Sequence, residues 1–109
     1  MKNILWFSEL RKKDVNEVGG KSASLGEMYS MLTPKGINIP NGFSTTAHAY
    51  LNFLEYNGFD KKLKEIFSTF DPDNLSNLQE TGKKARNLIL SGKFPPELEK
   101  EIVEAYEKL

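Results

Sequence analysis

The stretch Val18-Gly19-Gly20-Lys21-Ser22-Ala23-Ser24-Leu25-Gly26-Glu27-Met28-Tyr29-Ser30-Met31-Leu32 decides how the chain is read. From Lys21 to Leu32, Leu25, Met28, Tyr29 and Leu32 fall at i, i+3, i+4 and i+7, the apolar stripe of an amphipathic helix. Thr33-Pro34 stops it, because the proline ring pushes its predecessor out of the α region, and Gly36 supplies a turn. The paired glycines ahead of it leave the start of this helix without side-chain bulk.

Upstream, Ile4, Leu5, Trp6 and Phe7 form a short apolar run, predicted as a strand buried on both faces, and residues 8–18 are polar and predicted as loop. Downstream, Ile37 to Ser44 alternates apolar residues around Pro40, an edge strand at best. Thr45 or Thr46 can cap a second helix in which Ala47, Tyr50, Leu51 and Leu54 share a face until Asn57-Gly58. Asp60 can cap a third, with Leu63, Ile66, Phe67 and Phe70 as its stripe. After the turn at Asp71-Pro72-Asp73, a fourth helix is predicted from Asn74 to Leu90, with Leu78, Ala85, Leu88 and Ile89 inward and Ser91-Gly92 as its exit. Pro95-Pro96 suits the first turn of a fifth, carrying Leu98, Ile102, Ala105, Tyr106 and Leu109. The fold class expected is therefore α+β and predominantly helical, with about five helices and one or two short strands. The last helix stops in mid-pattern at Leu109, which reads as a segment cut from a longer chain.

With 109 residues there is room for one domain, able to bury about two-thirds of the surface its unfolded chain exposes. Lys+Arg and Asp+Glu both total 15, so no net field draws the chain to nucleic acid or an anionic membrane, and neither is expected as a partner. There is no cysteine, which excludes disulfides, thiolate nucleophiles and Cys-ligated zinc. The N-terminal apolar run is too short for a signal peptide and no run approaches a membrane span, so a cytoplasmic location is expected. The single histidine, His48, cannot form a metal cluster alone, and its place near a helix start reads as a surface or half-buried histidine. No catalytic and no metal-ligating residue is assigned within the chain.

The compact candidate for chemistry is the start of the first helix. Gly19 and Gly20 let backbone N–H groups approach a ligand without Cβ clashes, the helix start through Ser22 offers unpaired N–H groups and a positive dipole end, and Lys21 adds a full charge. That chemistry suits phosphate. It is not a Walker A loop, which would need glycine where this chain has Val15, and Asp14, Asn16 and Glu17 do not form a buried strand ahead of it. On local features alone a loop-to-helix junction, with glycines serving geometry and a solvated lysine, is the favoured reading. Ile39 to Thr46 reads as a turn and helix cap. The basic residues Lys61, Lys62, Lys64, Lys83, Lys84 and Arg86 read as solvated faces, and Glu97, Glu99, Glu101 and Glu104 as the outer face of the last helix.

Taken together and in order, DVNEVGGKSASLGEM (residues 14–28), INIPNGFSTTAHAYLNFL (37–54) and FPPELEKEIVEAYEKL (94–109), preceded by the aromatic strand, resemble the beginning of the pyruvate- and ATP-utilising dikinases. The resemblance covers nearly the whole chain. It is nearest to the phosphoenolpyruvate synthase branch, with pyruvate phosphate dikinase and, more distantly, rifampin phosphotransferase as the other branches. It implies that residues 1–109 are the N-terminal part of an ATP-grasp-type nucleotide-binding domain, and that Lys21 contacts ATP phosphates. It also implies that the remainder of the parent enzyme carries the acidic Mg²⁺ ligands, a phosphorylatable histidine and a pyruvate-binding barrel. The implied reaction, in the gluconeogenic direction, is ATP + pyruvate + water giving AMP + phosphoenolpyruvate + phosphate, with the segment alone inactive. Two readings compete with it: an ATP-binding subdomain of one of the other branches, and a helical interaction module with no nucleotide role.

Overall fold

A computed structural model describes residues 1–109. Its elements run β1 (Ile4–Trp6), α1 (Val15–Val18), α2 (Gly20–Leu32), β2 (Phe43–Thr45), α3 (Ala47–Asn57), α4 (Phe59–Ser68), α5 (Leu75–Ser91) and α6 (Pro96–Lys108). Short 3-10 turns cover Phe7–Glu9, Lys12–Asp14 and Thr33–Lys35. The expected predominantly helical α+β fold is what forms. The chain divides into two compact units, Met1–Leu51 with Pro96–Leu109, and Asn52–Pro95.

In the first unit β1 and β2 pair antiparallel, with Ile4 opposite Thr45, Leu5 opposite Ser44 and Trp6 opposite Phe43. The Trp6 and Phe43 rings meet with centroids 5.4 Å apart, a cross-strand aromatic pair of the kind that stabilises a short ribbon. Backbone bonds extend the pairing at both ends, from Phe7 N–H to Gly42 O (2.9 Å) and from Thr46 N–H to Asn3 O (3.0 Å). A Cβ at Gly42 would stand 2.7 Å from Phe7 Cε2, so any larger residue there would have to displace the Phe7 ring. With only two strands, β1 has no sheet to cover it, so Ile4, Leu5 and Trp6 are half-buried rather than buried on both faces as the apolar run predicted. Pro40 lies ahead of β2, not within an edge strand.

Residues 8–18 are not the predicted loop. Glu9 Oε2 accepts from Trp6 N–H and Asp14 Oδ2 from Arg11 N–H, each at 2.9 Å, and these two bonds close successive 3-10 turns that lead into α1. Between them Leu10 is fully buried, at 0% exposure. It packs on α2 at Gly26, where an added Cβ would lie 2.3 Å from Leu10 Cβ and 2.9 Å from its carbonyl oxygen. The face of α2 that is most deeply buried is thus Ala23 and Gly26, while Leu25, Tyr29 and Leu32 are half-buried and Met28 is exposed. Small residues win this face because the backbone of the 3-10 segment comes too close for long side chains.

Thr46 is the cap of α3. Its Oγ1 accepts from Ala49 N–H (3.1 Å) and donates to Lys2 O (2.8 Å), tying the helix start to the strand. Along α3, Ala49, Phe53 and Leu54 are buried, whereas Ala47, Tyr50 and Leu51 of the predicted stripe are exposed. The buried stripe is rotated by about one residue, roughly 100°, from the predicted one. In α6, Leu98 and Ala105 are buried and Ile102 is half-buried, but Tyr106 and, just past the helix, Leu109 are exposed.

The second unit has its own core of Phe53, Leu54 and Phe59, with Leu63, Leu88 and Ile89 packed on it. Phe53 makes an edge contact with Phe59 (centroids 6.0 Å) and a tilted one with Phe94 (5.8 Å). Asn57 bridges the two ends of this unit, donating to Phe53 O and Lys93 O and accepting from Lys93 N–H. α4 begins at Phe59 after Gly58 in the left-handed region, so Asp60 stands in the first turn instead of capping it. Asn74 does cap α5, accepting from Asn77 N–H at 3.1 Å. Of the predicted inward positions of α4 and α5, Leu63, Ile66, Ala85, Leu88 and Ile89 are partly buried, whereas Phe67, Phe70 and Leu78 are exposed.

Candidate functional site

Gly19 joins α1 to α2 with φ 85° and ψ 166°, a region open essentially only to glycine. Its N–H closes α1 onto Val15 O (2.8 Å) and its carbonyl starts α2 by accepting from Ala23 N–H (3.1 Å). Gly19 is fixed at both ends. No side chain caps the helix. The N–H groups of Gly20, Lys21 and Ser22 occupy the first turn, where no intrahelical acceptor exists, and they are left open. At Gly20 the nearest atom to an added Cβ is Val15 Cγ2, 4.0 Å away, so packing within the chain does not demand glycine there.

Lys21 is exposed at the second position of this turn. The ion pairs formed are Lys2–Glu9, Lys84–Glu80 and Lys100–Glu104, and none involves it. Helix electrostatics disfavour a cation here: the N-terminal end carries about half a positive charge, and a like charge in the first turn costs roughly 0.3–1 kcal/mol. The first turn also lacks any acidic residue. A helix start with no cap, no acid and an added lysine departs three times from what would stabilise it, and all three departures suit an incoming anion. Gly19, Gly20, Lys21 and Ser22 are therefore brought together as consecutive positions of one turn.

The support behind this turn was not visible as chemistry in the sequence. Arg11 Nη1 donates to Leu10 O (2.7 Å), Ser8 O (3.1 Å) and Ser30 Oγ (2.6 Å), and Glu27 Oε2 accepts from Lys12 N–H (2.9 Å). With Leu10 against Gly26, these bonds clamp the 3-10 segment along α2. The Gly26-Glu27 part of the glycine-rich stretch thus serves the loop that leads to Gly19.

His48 is half-buried and lines a cleft of about 270 Å³ with Leu5, Asn16, Glu17 and Leu51 among its walls. Glu9 is the carboxyl displaced from its ordinary value of 4.5, held lower by its bond to the Lys2 ammonium and by the Trp6 N–H. Glu97, Glu99 and Glu104 are exposed and Glu101 half-buried on α6, and no group of three or more His, Asp or Glu side chains gathers to hold a metal. Lys61, Lys62, Lys64, Lys83, Lys84 and Arg86 are exposed. No helix is long and apolar enough to cross a membrane.

The sequence model of the family described as "Pyruvate phosphate dikinase, AMP/ATP-binding domain" matches residues 15–109. The chain is 50% identical over 103 residues, 94% of its length, to phosphoenolpyruvate synthase of Synechocystis sp.. It is 42% identical over 106 residues, 97% of its length, to phosphoenolpyruvate synthase of Escherichia coli K12. A probable phosphoenolpyruvate synthase of Methanocaldococcus jannaschii is 42% identical over 109 residues, 100% of the chain. The chain spans 13% of the length of the first two relatives and 9% of the third.

Proposed function

Because this chain belongs to the pyruvate phosphate dikinase AMP/ATP-binding domain family, we propose that its residues 1–109 are the N-terminal part of the nucleotide-binding domain of a phosphoenolpyruvate synthase. There it forms one wall of the ATP site for the reaction ATP + pyruvate + water giving AMP + phosphoenolpyruvate + phosphate. The observation that carries this reading is the uncapped, acid-free start of α2 with the unpaired Lys21 in its first turn. The open N–H groups of Gly20, Lys21 and Ser22 donate to phosphate oxygens, the glycine-only conformation of Gly19 aims them, and the Lys21 ammonium neutralises charge on the same phosphates.

Phosphoryl transfer rests on positioning and on stabilising negative charge spread over the phosphate oxygens. One lysine and one helix end supply only part of that. Mg²⁺ would supply more charge neutralisation when bound, and the family resemblance puts its acidic ligands in the remainder of the parent enzyme. That remainder also supplies the phosphohistidine and pyruvate-binding domains as partners of this segment. The names of the similar proteins favour the synthase over pyruvate phosphate dikinase or rifampin phosphotransferase. A cytoplasmic, gluconeogenic enzyme is the setting this reaction implies.

Lys21→Ala in the complete enzyme tests the reading. Transfer from ATP to the carrier histidine should fall by roughly 10²-fold or more, the scale of losing one preorganised charge donor. The half-reaction between phosphoenolpyruvate and that histidine should survive, and Lys21→Arg should recover part of the loss because it keeps the charge in a different donor geometry. An ATP half-reaction within about threefold of normal, about 0.7 kcal/mol in barrier, contradicts the assignment and leaves the helical interaction module as the better reading.

A further inference from the structure

Glu27 lies six residues beyond Lys21 on α2, about 9 Å along the axis, too far to share a phosphate with the helix start. Its carboxylate is turned instead to Lys12 N–H at 2.9 Å, the first residue of the 3-10 turn Lys12–Asp14. That turn runs without a break into α1 and so into Gly19. The same segment is held one residue earlier by Arg11, through Ser30 Oγ, and two residues earlier by Leu10 in the notch left by Gly26. The path to Gly19 is thereby fixed from upstream by α2 itself, the helix whose start Gly19 opens.

We propose that Glu27 is a positioning residue for the phosphate turn: by holding Lys12 N–H it sets the 3-10 segment and α1 so that Gly19 presents the Gly20, Lys21 and Ser22 N–H groups to the ligand. The inference rests on the phosphate role of that turn. The Lys12 N–H bond to a charged acceptor is stronger than one between neutral groups, and it ties together two segments 15 residues apart in sequence. Glu27 acts through the loop and touches no substrate.

The test compares Glu27→Ala and Glu27→Gln in the complete enzyme, with Lys21→Ala alongside. Gln keeps a carbonyl oxygen for Lys12 N–H, so Glu27→Gln should hold the ATP KM within about twofold of the parent. Glu27→Ala should raise the ATP KM by about tenfold, the size of misplacing a binding group without removing it. The half-reaction between phosphoenolpyruvate and the carrier histidine should stay within about twofold in both. Amide exchange across residues 12–22 should quicken in Glu27→Ala but not in Glu27→Gln, which reports the loosened turn independently of turnover. If Glu27→Ala leaves the ATP KM unchanged while Lys21→Ala cripples the ATP half-reaction, the positioning role is overturned and the phosphate reading stands. Equal losses in both half-reactions would also overturn it, as the mark of a merely structural residue. If Lys21→Ala has no effect, the phosphate reading fails and this inference falls with it.

Discussion

Gly26→Ala sets two effects against each other within one methyl group. Helix propensity alone favours alanine by about 1 kcal/mol in the middle of α2. Packing opposes it: the new Cβ would stand 2.3 Å from Leu10 Cβ and 2.9 Å from Leu10 O. Carbon atoms rest about 3.5–4.0 Å apart, so Leu10 and α2 must separate by more than about 1 Å. Leu10 is the most deeply buried side chain of the molecule, and the atoms that must move include its backbone, which cannot swing aside as a side-chain tip can. Overpacking of this kind costs about 3 kcal/mol, the upper part of the usual range, which leaves a net loss of about 2 kcal/mol. For a chain of this size that lowers the melting temperature by about 8–16 °C. Thermal and urea unfolding followed by far-UV circular dichroism measure it, with Ser24→Ala, an exposed position of the same helix, as the control that should gain slightly. If Gly26→Ala melts at or above the parent temperature, the close approach of Leu10 to α2 does not exist as described, and the clamp behind the start of α2 goes with it.

His48→Ala in the complete enzyme should keep most activity, because His48 stands near the start of α3 and not in the first turn of α2; a loss of about 10³-fold, the scale of removing a catalytic nucleophile, would refute that. Glu9 is held below its ordinary value of 4.5 by Lys2 and the Trp6 N–H, so the stability it contributes is present above that pH and is lost as acidification carries the folded group through its lowered pKa. Glu9→Gln should lower the melting temperature modestly at neutral pH, where the carboxylate's contribution is present, and converge on the parent below the acid window, so that its profile through that window is flatter; an unaltered profile would contradict the assigned bonds. The chain 1–109 by itself should form no phosphoenolpyruvate from ATP and pyruvate, since one turn supplies too little of the charge stabilisation that phosphoryl transfer needs, and product formation by the purified chain, detected by coupled assay, would sink that view.

Punctuation was legible in the sequence and faces were not. Asn74 and Ser91-Gly92 mark helix ends because caps and glycine act locally, whereas Thr33 stays in the α region and Pro34 continues into a 3-10 turn, so α2 ends there without the displacement of Thr33 that the proline predicted. Choosing between neighbouring stripes of α3 needs the partner surface, and there Ala49 and Phe53 go inward while Tyr50 and Leu51 do not. The polar run 8–18 carries no hydrophobic period, and its 3-10 turns are set by single side-chain-to-backbone bonds from Glu9 and Asp14. Leu10 is one apolar residue among charges, so its burial follows only from Gly26 across from it. The uncapped helix start at Gly19-Gly20-Lys21 could be located in the sequence because its ingredients are contiguous. Arg11 and Glu27 could not, since their partners lie 19 and 15 residues away in sequence.

The central claim is that the start of α2 holds ATP phosphates, and a titration of the amide-labelled chain with Mg-ATP addresses it most directly. Phosphate accepting from open N–H groups should move the Gly20, Lys21 and Ser22 amide resonances together and saturably. Lys21→Ala should weaken the titration, while the amides of Asn52–Pro95 should stay in place. Shifts confined to other residues, or an unchanged response in Lys21→Ala, would contradict the account.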